Sequence, residues 1–136
     1  LAATAAHGPE QIDFLGEPEE LKQVRRIIEK ELGTAVQPTS SYHHLLEILP
    51  PDVSKGAALQ FLADYLQIPL SATIAVGDGY NDLEMILTAG LSVAMGNAPE
   101  EVKRQADYVT APNHEDGLAQ FLDEFIVDIE SDAKVG

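Results

Sequence analysis

Ala72-Thr73-Ile74-Ala75-Val76-Gly77-Asp78-Gly79-Tyr80-Asn81-Asp82-Leu83-Glu84-Met85 is the stretch that decides the fold. The apolar run Ala72 to Val76 predicts a strand of the kind buried on both faces in a parallel sheet. Gly77 to Tyr80 predicts a tight loop, and Asp82 to Ala89 predicts a helix. In open α/β sheets, ligands lie in the crevice beyond the carboxyl ends of the strands, which is where this loop falls. Two glycines let the backbone turn sharply there. Asp78 and Asp82 then present carboxylates across one loop. Hard oxygen donors of this kind suit Mg²⁺, which takes one or two protein carboxylates and fills its shell with water and substrate phosphate. Asn81 can donate to a phosphate or orient a carboxylate. An ordinary turn also accounts for these residue types, since Asp-Gly and Asn-Asp are common in loops and Asp82 can cap a helix.

Alternation of short strands and helices continues on both sides. Downstream, Leu91 to Met95 reads as a strand, Pro99 to Ala106 as a helix and Asp107 to Val109 as a short strand. Glu115 to Ile126 reads as a helix with Leu118, Phe121, Leu122, Phe125 and Ile126 on one face, followed by an acidic tail expected to fray. Upstream, Ser54 can cap a helix carrying Ala58, Phe61, Leu62, Tyr65 and Leu66 on one face. This is the pattern of a doubly wound α/β sheet. Before Pro50-Pro51, the best candidate boundary, the character differs. A strand Gln11 to Leu15 precedes a helix opened by Pro18 and closed by Gly33, with Leu21, Val24, Ile27, Ile28 and Leu32 on one face. With the strand Leu45 to Leu49 it makes a small β-α-β-like unit.

Composition narrows the function. With 8 Lys plus Arg against 23 Asp plus Glu, the 136-residue chain carries a net charge of −15. A field of that sign repels nucleic acid and anionic lipid, and it suits an anionic substrate only where a cation neutralises the site. Hydrophobic residues at 45% suffice for a core. No apolar run approaches the roughly 18 residues a membrane span needs, and the Ala-rich start Leu1 to Ala6 is too short and uncharged for a signal peptide. The absence of Cys rules out disulfides and thiolate metal sites and agrees with a cytoplasmic setting. His43-His44, with His7 and His114, raises the question of a metal cluster. Neighbouring histidines in a strand point to opposite faces and cannot share one ion, so surface positions, or a substrate contact, are the expectation.

Four segments in order resemble one family. Gly77-Asp78-Gly79-Tyr80-Asn81-Asp82 is similar to the last motif of the haloacid dehalogenase superfamily. Leu49-Pro50-Pro51-Asp52-Val53-Ser54-Lys55-Gly56 resembles the lysine motif of its Cof-type sugar phosphatases. Ala89 to Ala98 and Ala106 to Thr110 resemble the segments that follow. The resemblance covers roughly residues 10 to 126 and implies an α/β fold with a partial Rossmann-like parallel sheet. It implies that residues 1–49 are the second half of an α/β cap, residues 50–126 the C-terminal half of the core, and residues 127–136 an acidic tail.

The same resemblance implies roles. Asp78 would ligate Mg²⁺ directly, and Asp82, the second metal-site residue, would orient a metal-bound water or its neighbours; Lys55 would bind the phosphoryl group and offset charge near the nucleophile; Asn81 would contact phosphoryl oxygens. The substrate would be a small phosphorylated metabolite. Glu84 is expected to face solvent. The family's nucleophile sits in an Asp-x-Asp motif, and no Asp-x-Asp occurs in this chain. Leu at position 1, where an initiator Met is expected, adds to the expectation of a piece of something longer. The central strand of the sheet would then be missing, leaving the Ala72 to Val76 edge to pair with the N-terminal half or with a second copy. The alternative is a truncated, non-catalytic relative that serves as a binding or assembly module. P-type ion pumps carry a similar Gly-Asp-Gly-x-Asn-Asp segment but need membrane helices soon after it. Phosphoserine phosphatases share the loop without the Leu-Pro-Pro-x-Val-Ser-Lys-Gly segment.

Overall fold

The computed structural model describes residues 10–132. The expectations for Leu1 to Ala6, for His7 and for residues 133–136 lie outside the described residues, as does the side chain of Ile126. The described elements are β1 (Ile12–Leu15), α1 (Pro18–Leu32), β2 (Gln37–Thr39), β3 (Leu45–Leu49), α2 (Lys55–Leu66), β4 (Ile74–Gly77), α3 (Leu83–Thr88), β5 (Leu91–Ala94), α4 (Glu100–Gln105), β6 (Tyr108–Val109) and α5 (Gly117–Asp132). They build two three-stranded sheets, one antiparallel in the order β1-β3-β2 and one parallel in the order β4-β5-β6.

The first sheet corrects the β-α-β-like reading. β1 and β3 are neighbours but antiparallel. Each of β1 and β2 runs antiparallel to β3, so β1 and β2 share a direction with β3 between them. The crossover is β1-α1-β2, split by the returning β3. β2 gives almost no sequence signal: it has three residues, and Pro38 in its middle is tolerated because β2 is an edge strand. α1 opens with Pro18 in its first turn beside Glu19 and Glu20, which suit the positive end of the helix dipole. It closes at Gly33, whose φ of 52° lets its N–H reach back to Glu29. Leu21 packs with Leu46 and Ile48, supported by Val24 and Ile28. Ile27 and Leu32 are left exposed, so the buried stripe is narrower than the sequence pattern suggests.

Ser54 does cap α2, accepting from Ala57 N at 3.0 Å. The face of α2 expected to be buried is open, however. Phe61 and Tyr65 are 71% and 75% exposed and stack on each other at 6.3 Å, and Leu62 and Leu66 are also exposed. Gly56 and Ala63 are the buried positions instead, seven residues apart on one face. α2 therefore meets α3 through small residues: a Cβ built at Gly56 would stand 2.5 Å from Glu84 Cγ and 2.9 Å from its backbone carbonyl carbon.

In the second sheet, β4 begins two residues later than the apolar run suggests, because Leu70–Ala72 forms a 3₁₀ turn that Thr73 Oγ1 closes onto Leu70 O at 2.7 Å. β4 is also not buried on both faces. Ala75 and Gly77 are buried while Ile74 is 44% exposed, and β4 is the outer strand of the described sheet. The inner strand β5 is the fully covered one, with Ser92, Val93 and Ala94 buried. Ile86, Ala94, Ala98 and Val102 form the core beside it. Phe121 is fully buried and lies against Tyr108 and Phe125, whereas Leu118 and Leu122 of the expected face stay exposed. α5 runs to Asp132, past the end expected at Ile126.

A clamp fixes the start of β5 to the residue before β6. Ser92 donates to Asp107 Oδ2 from its backbone N at 2.9 Å and its hydroxyl at 2.8 Å, and Asp107 N donates back to Ser92 Oγ at 3.1 Å. The Ser92 hydroxyl, and after it the Ser92 amide, holds the Asp107 carboxyl below the usual range against a small opposing effect of burial. A lowered folded value means that this stabilisation is complete above the unfolded carboxyl value of about 4 and is lost as pH falls through the folded one. Asp107→Asn should therefore flatten the acid limb of stability below about pH 5. Urea midpoints measured across that range test this, and parallel profiles for the two proteins would refute it.

Candidate active site

The loop Gly77 to Asp82 leaves the carboxyl end of β4 and winds into a short 3₁₀ turn, Tyr80–Asp82, that leads into α3. Asp82 organises it from inside. Its side chain is 3% exposed, and Oδ2 accepts from Asp78 N at 2.8 Å and from Gly79 N at 2.9 Å. Its other oxygen, Oδ1, accepts from Lys55 Nζ. Gly77 makes this inward turn possible, because a Cβ there would lie 2.5 Å from Asp82 Cβ and displace it.

Lys55 and Asp82 are 27 residues apart, and the close approach of α2 to α3 at Gly56 brings them together. The lysine side chain remains 51% exposed, so it can reach a ligand as well as Asp82. Asp78 sits at the loop's outer end with its side chain in solvent. The structure thus places Lys55, Asp78, Asn81 and Asp82 on one loop and the helix start packed against it. It does not place them alike: Asp78 offers an exposed carboxylate, while both Asp82 oxygens are engaged within the protein.

Asn97 is a site residue marked in the sequence only by its place within the Ala89 to Ala98 segment. Its Oδ1 accepts from Asn113 N at 2.9 Å, and its Nδ2 donates to Asp78 Oδ2 at 3.1 Å. A backbone N–H can only donate, so the amide orientation is fixed and the NH₂ end must face Asp78. An Asn after a strand, between Gly96 and Ala98, has no periodicity to mark it; its position beyond the carboxyl end of β5, next to the end of β4, was the usable signal. Ser41 is a further site residue, in none of the matching segments: its hydroxyl accepts from Asn81 Nδ2 at 2.9 Å, reaching over from the connection between β2 and β3.

The His43-His44 pair is not in a strand. His43 and His44 occupy the turn before β3, which removes the opposite-face argument; the His44 ring lies 3.2 Å from Gly16 O and both side chains are exposed. His114 lies 3.5 Å from its neighbour Glu115. Among the described residues, no group of three or more His, Asp or Glu side chains is placed to hold a metal. Glu84 is exposed. A depression of about 200 Å³ lined by Gln37, Pro51, Asp52, Ser54, Ala57 and Glu84 contains none of Lys55, Asp78, Asn81 or Asp82. No described helix is long and apolar enough to cross a membrane.

Comparisons with known proteins bear on the family and the fold. The chain is 42% identical over 120 residues to a candidate phosphatase of Haemophilus influenzae, covering 88% of this chain and 45% of that protein. The solved structure of a haloacid dehalogenase-like hydrolase from Bacillus subtilis superposes with a TM-score of 0.81 at 38% identity, over 91% of this chain and 44% of that one. A sugar phosphatase of haloacid dehalogenase subclass IIB superposes with a TM-score of 0.73 at 32% identity, over 85% and 42%. The chain therefore spans less than half the length of each of these three relatives. The family profile of haloacid dehalogenase-like hydrolases matches residues 4–122, nearly the whole chain, and the chain belongs to that family.

Proposed function

We propose that this chain is the C-terminal portion of a Mg²⁺-dependent phosphatase that hydrolyses small phosphomonoesters, sugar phosphates or similar metabolites, through an aspartyl-phosphate intermediate. The observation that carries the reading is the pairing of Lys55 with Asp82 beside an exposed Asp78 at the end of a parallel strand. Residues 1–49 would then be the second half of a cap, residues 50–126 half of the catalytic core, and residues 127–136 a tail. The nucleophilic aspartate would lie outside this sequence, which has no Asp-x-Asp. The setting is taken as cytoplasmic, in keeping with a sequence free of cysteine.

In this reading Lys55 and Asn81 bind and orient the phosphoryl group. Phosphoryl transfer needs its spreading negative charge stabilised, which a lysine and an amide N–H can supply. Asp82 holds the Lys55 ammonium in place and keeps the loop amides pointing inward, so its contribution to the metal site is indirect. The donor set fits a largely hydrated Mg²⁺ resting on Asp78, whose carboxylate Asn97 steadies from one side. When bound, the ion supplies charge neutralisation for the transferring group.

With one available carboxylate, Mg²⁺ affinity should be weak, with Kd about millimolar. Calorimetry on the 136-residue chain tests this. Micromolar binding would contradict it and require another carboxylate in the site. The exposed apolar face of α2 and the outer edge of β4 fit coverage by the protein's own N-terminal half, or by a second copy where that half is absent. The missing Asp-x-Asp also favours a second reading, a non-catalytic relative that binds phosphorylated ligands or assembles with a partner. Searching the coding sequence upstream of Leu1 for an in-frame Asp-x-Asp separates the two.

A further inference from the structure

We propose that Ser41, anchored by Glu47, is a positioning residue for Asn81, reaching from the first sheet to the loop after β4 and setting the direction of the amide that meets an anionic ligand. The inference rests on the reading of Asn81 as a phosphate-binding group.

The chain of hydrogen bonds has one possible direction. Ser41 donates to Glu47 Oε2 twice, from its hydroxyl and from its backbone N at 2.9 Å. A carboxylate has only lone pairs to offer, so the single Ser41 hydroxyl proton is committed to Glu47. What remains at Ser41 Oγ is an acceptor. Asn81 must therefore turn its NH₂ end, not its carbonyl, toward Ser41, and Nδ2 lies 2.9 Å away. The carbonyl end falls back over the loop: a Cβ built at Gly79 would stand 2.7 Å from Asn81 Oδ1. With one N–H given to Ser41, Asn81 keeps a second, whose direction is now fixed, for a phosphoryl oxygen.

The support beneath Ser41 is firm. Glu47 is the central residue of β3, in one cross-strand row with Asp13 and Thr39, and its other oxygen accepts from Gln11 at 3.3 Å. Ser41, Glu47 and Asn81 are all half-buried, which makes their bonds stronger and more directional than exposed ones. Because Ser41 lies in the β2–β3 connection of one sheet and Asn81 in the loop of the other, the amide is set only while the two are docked. Phosphate affinity and docking are then coupled, each strengthening the other equally.

The test uses the 136-residue chain with Mg²⁺ and inorganic phosphate, following phosphate affinity and the Asn81 side-chain amide signals by NMR. Ser41→Ala should weaken phosphate binding about three- to tenfold, the effect of losing one ordinary hydrogen bond. It should also shift the Asn81 amide signals before any phosphate is added. Ser41→Thr keeps the hydroxyl and should restore both. Glu47→Ala frees the Ser41 proton to turn elsewhere and should weaken binding as Ser41→Ala does. In an Asn81→Ala background the Ser41→Ala loss should vanish. If Asn81→Ala weakens binding but the Ser41→Ala loss is absent, or persists undiminished in that background, the inference is wrong and the phosphate reading stands. If the chain binds no phosphate, or Asn81→Ala leaves its affinity unchanged, the phosphate reading falls and the inference with it.

Discussion

Assayed with Mg²⁺ against a broad panel of phosphomonoesters, the 136-residue chain is expected to show no turnover above background, and extending it upstream is expected to bring activity. In the proposed reading Lys55 and Asn81 grip the phosphate. Asp78, the exposed carboxylate, is taken up by the hydrated cation, which leaves none of the three to attack. Asp82, the one other carboxylate of the loop, is buried and each of its oxygens is held within the protein, by Lys55 on one side and by Asp78 N and Gly79 N on the other. Nucleophile and acid/base groups act as a unit, and losing them together removes several orders of magnitude in rate. In the upstream-extended protein, Asp78→Asn should abolish the regained activity. Robust Mg²⁺-dependent turnover by the 136-residue chain that Asp78→Asn removes would overturn this expectation and reveal a nucleophile within it. An inactive extended protein would favour the binding-module reading instead.

The outline of this fold is legible in the sequence where burial and turn chemistry coincide. An apolar run ending in Gly77-Asp78-Gly79 has few ways to continue other than as a strand, a tight loop and a helix, and β4, the loop and α3 follow that order. Elements without such coincidence are not legible. β2 has three residues and a proline, and only its pairing with β3 makes it a strand. The apolar stripe of α2 is plain in the sequence, but periodicity says only that a face is apolar, not that this chain supplies its cover; Phe61 and Tyr65 stay in solvent.

The site divides along the same line. Asp78, Asn81 and Asp82 are adjacent in sequence, so their common loop is evident. That Lys55 meets Asp82 depends on Gly56 allowing two helices to touch, which spacing alone does not reveal. Asn97 and Ser41 are polar loop residues with no period and no special neighbours. Their roles arise only from tertiary contacts, one steadying Asp78 and the other meeting Asn81. The difference between Asp78 and Asp82 is likewise tertiary: two carboxylates four residues apart have opposite exposures because Gly77 leaves room for one of them beneath the loop.

That inward carboxylate gives the largest expected effect on stability. Asp82→Ala should lower it by about 2–4 kcal/mol, mostly because two loop amides, Asp78 N and Gly79 N, lose their acceptor. The ion pair itself adds little to that figure, because the Lys55 side chain is half in solvent and the pair's attraction is screened. Asp82→Asn keeps the shape and one acceptor oxygen, so its loss should be smaller. Gly77→Ala attacks the same feature from the other side: its methyl would stand 2.5 Å from Asp82 Cβ and force the carboxylate out. The two substitutions should therefore not add. Gly77→Ala in an Asp82→Ala background should cost less than in the unmodified chain: the approaches to Asp82 Cγ at 2.9 Å and Oδ2 at 3.0 Å are gone, and the remaining methyl, no longer anchored through the carboxylate, can move away from the one at 2.5 Å. Urea midpoints for the four proteins of this cycle give the coupling directly. Full additivity, or an Asp82→Ala loss within about 0.5 kcal/mol of zero, the usual range for surface substitutions, would mean that Asp82 does not organise the loop.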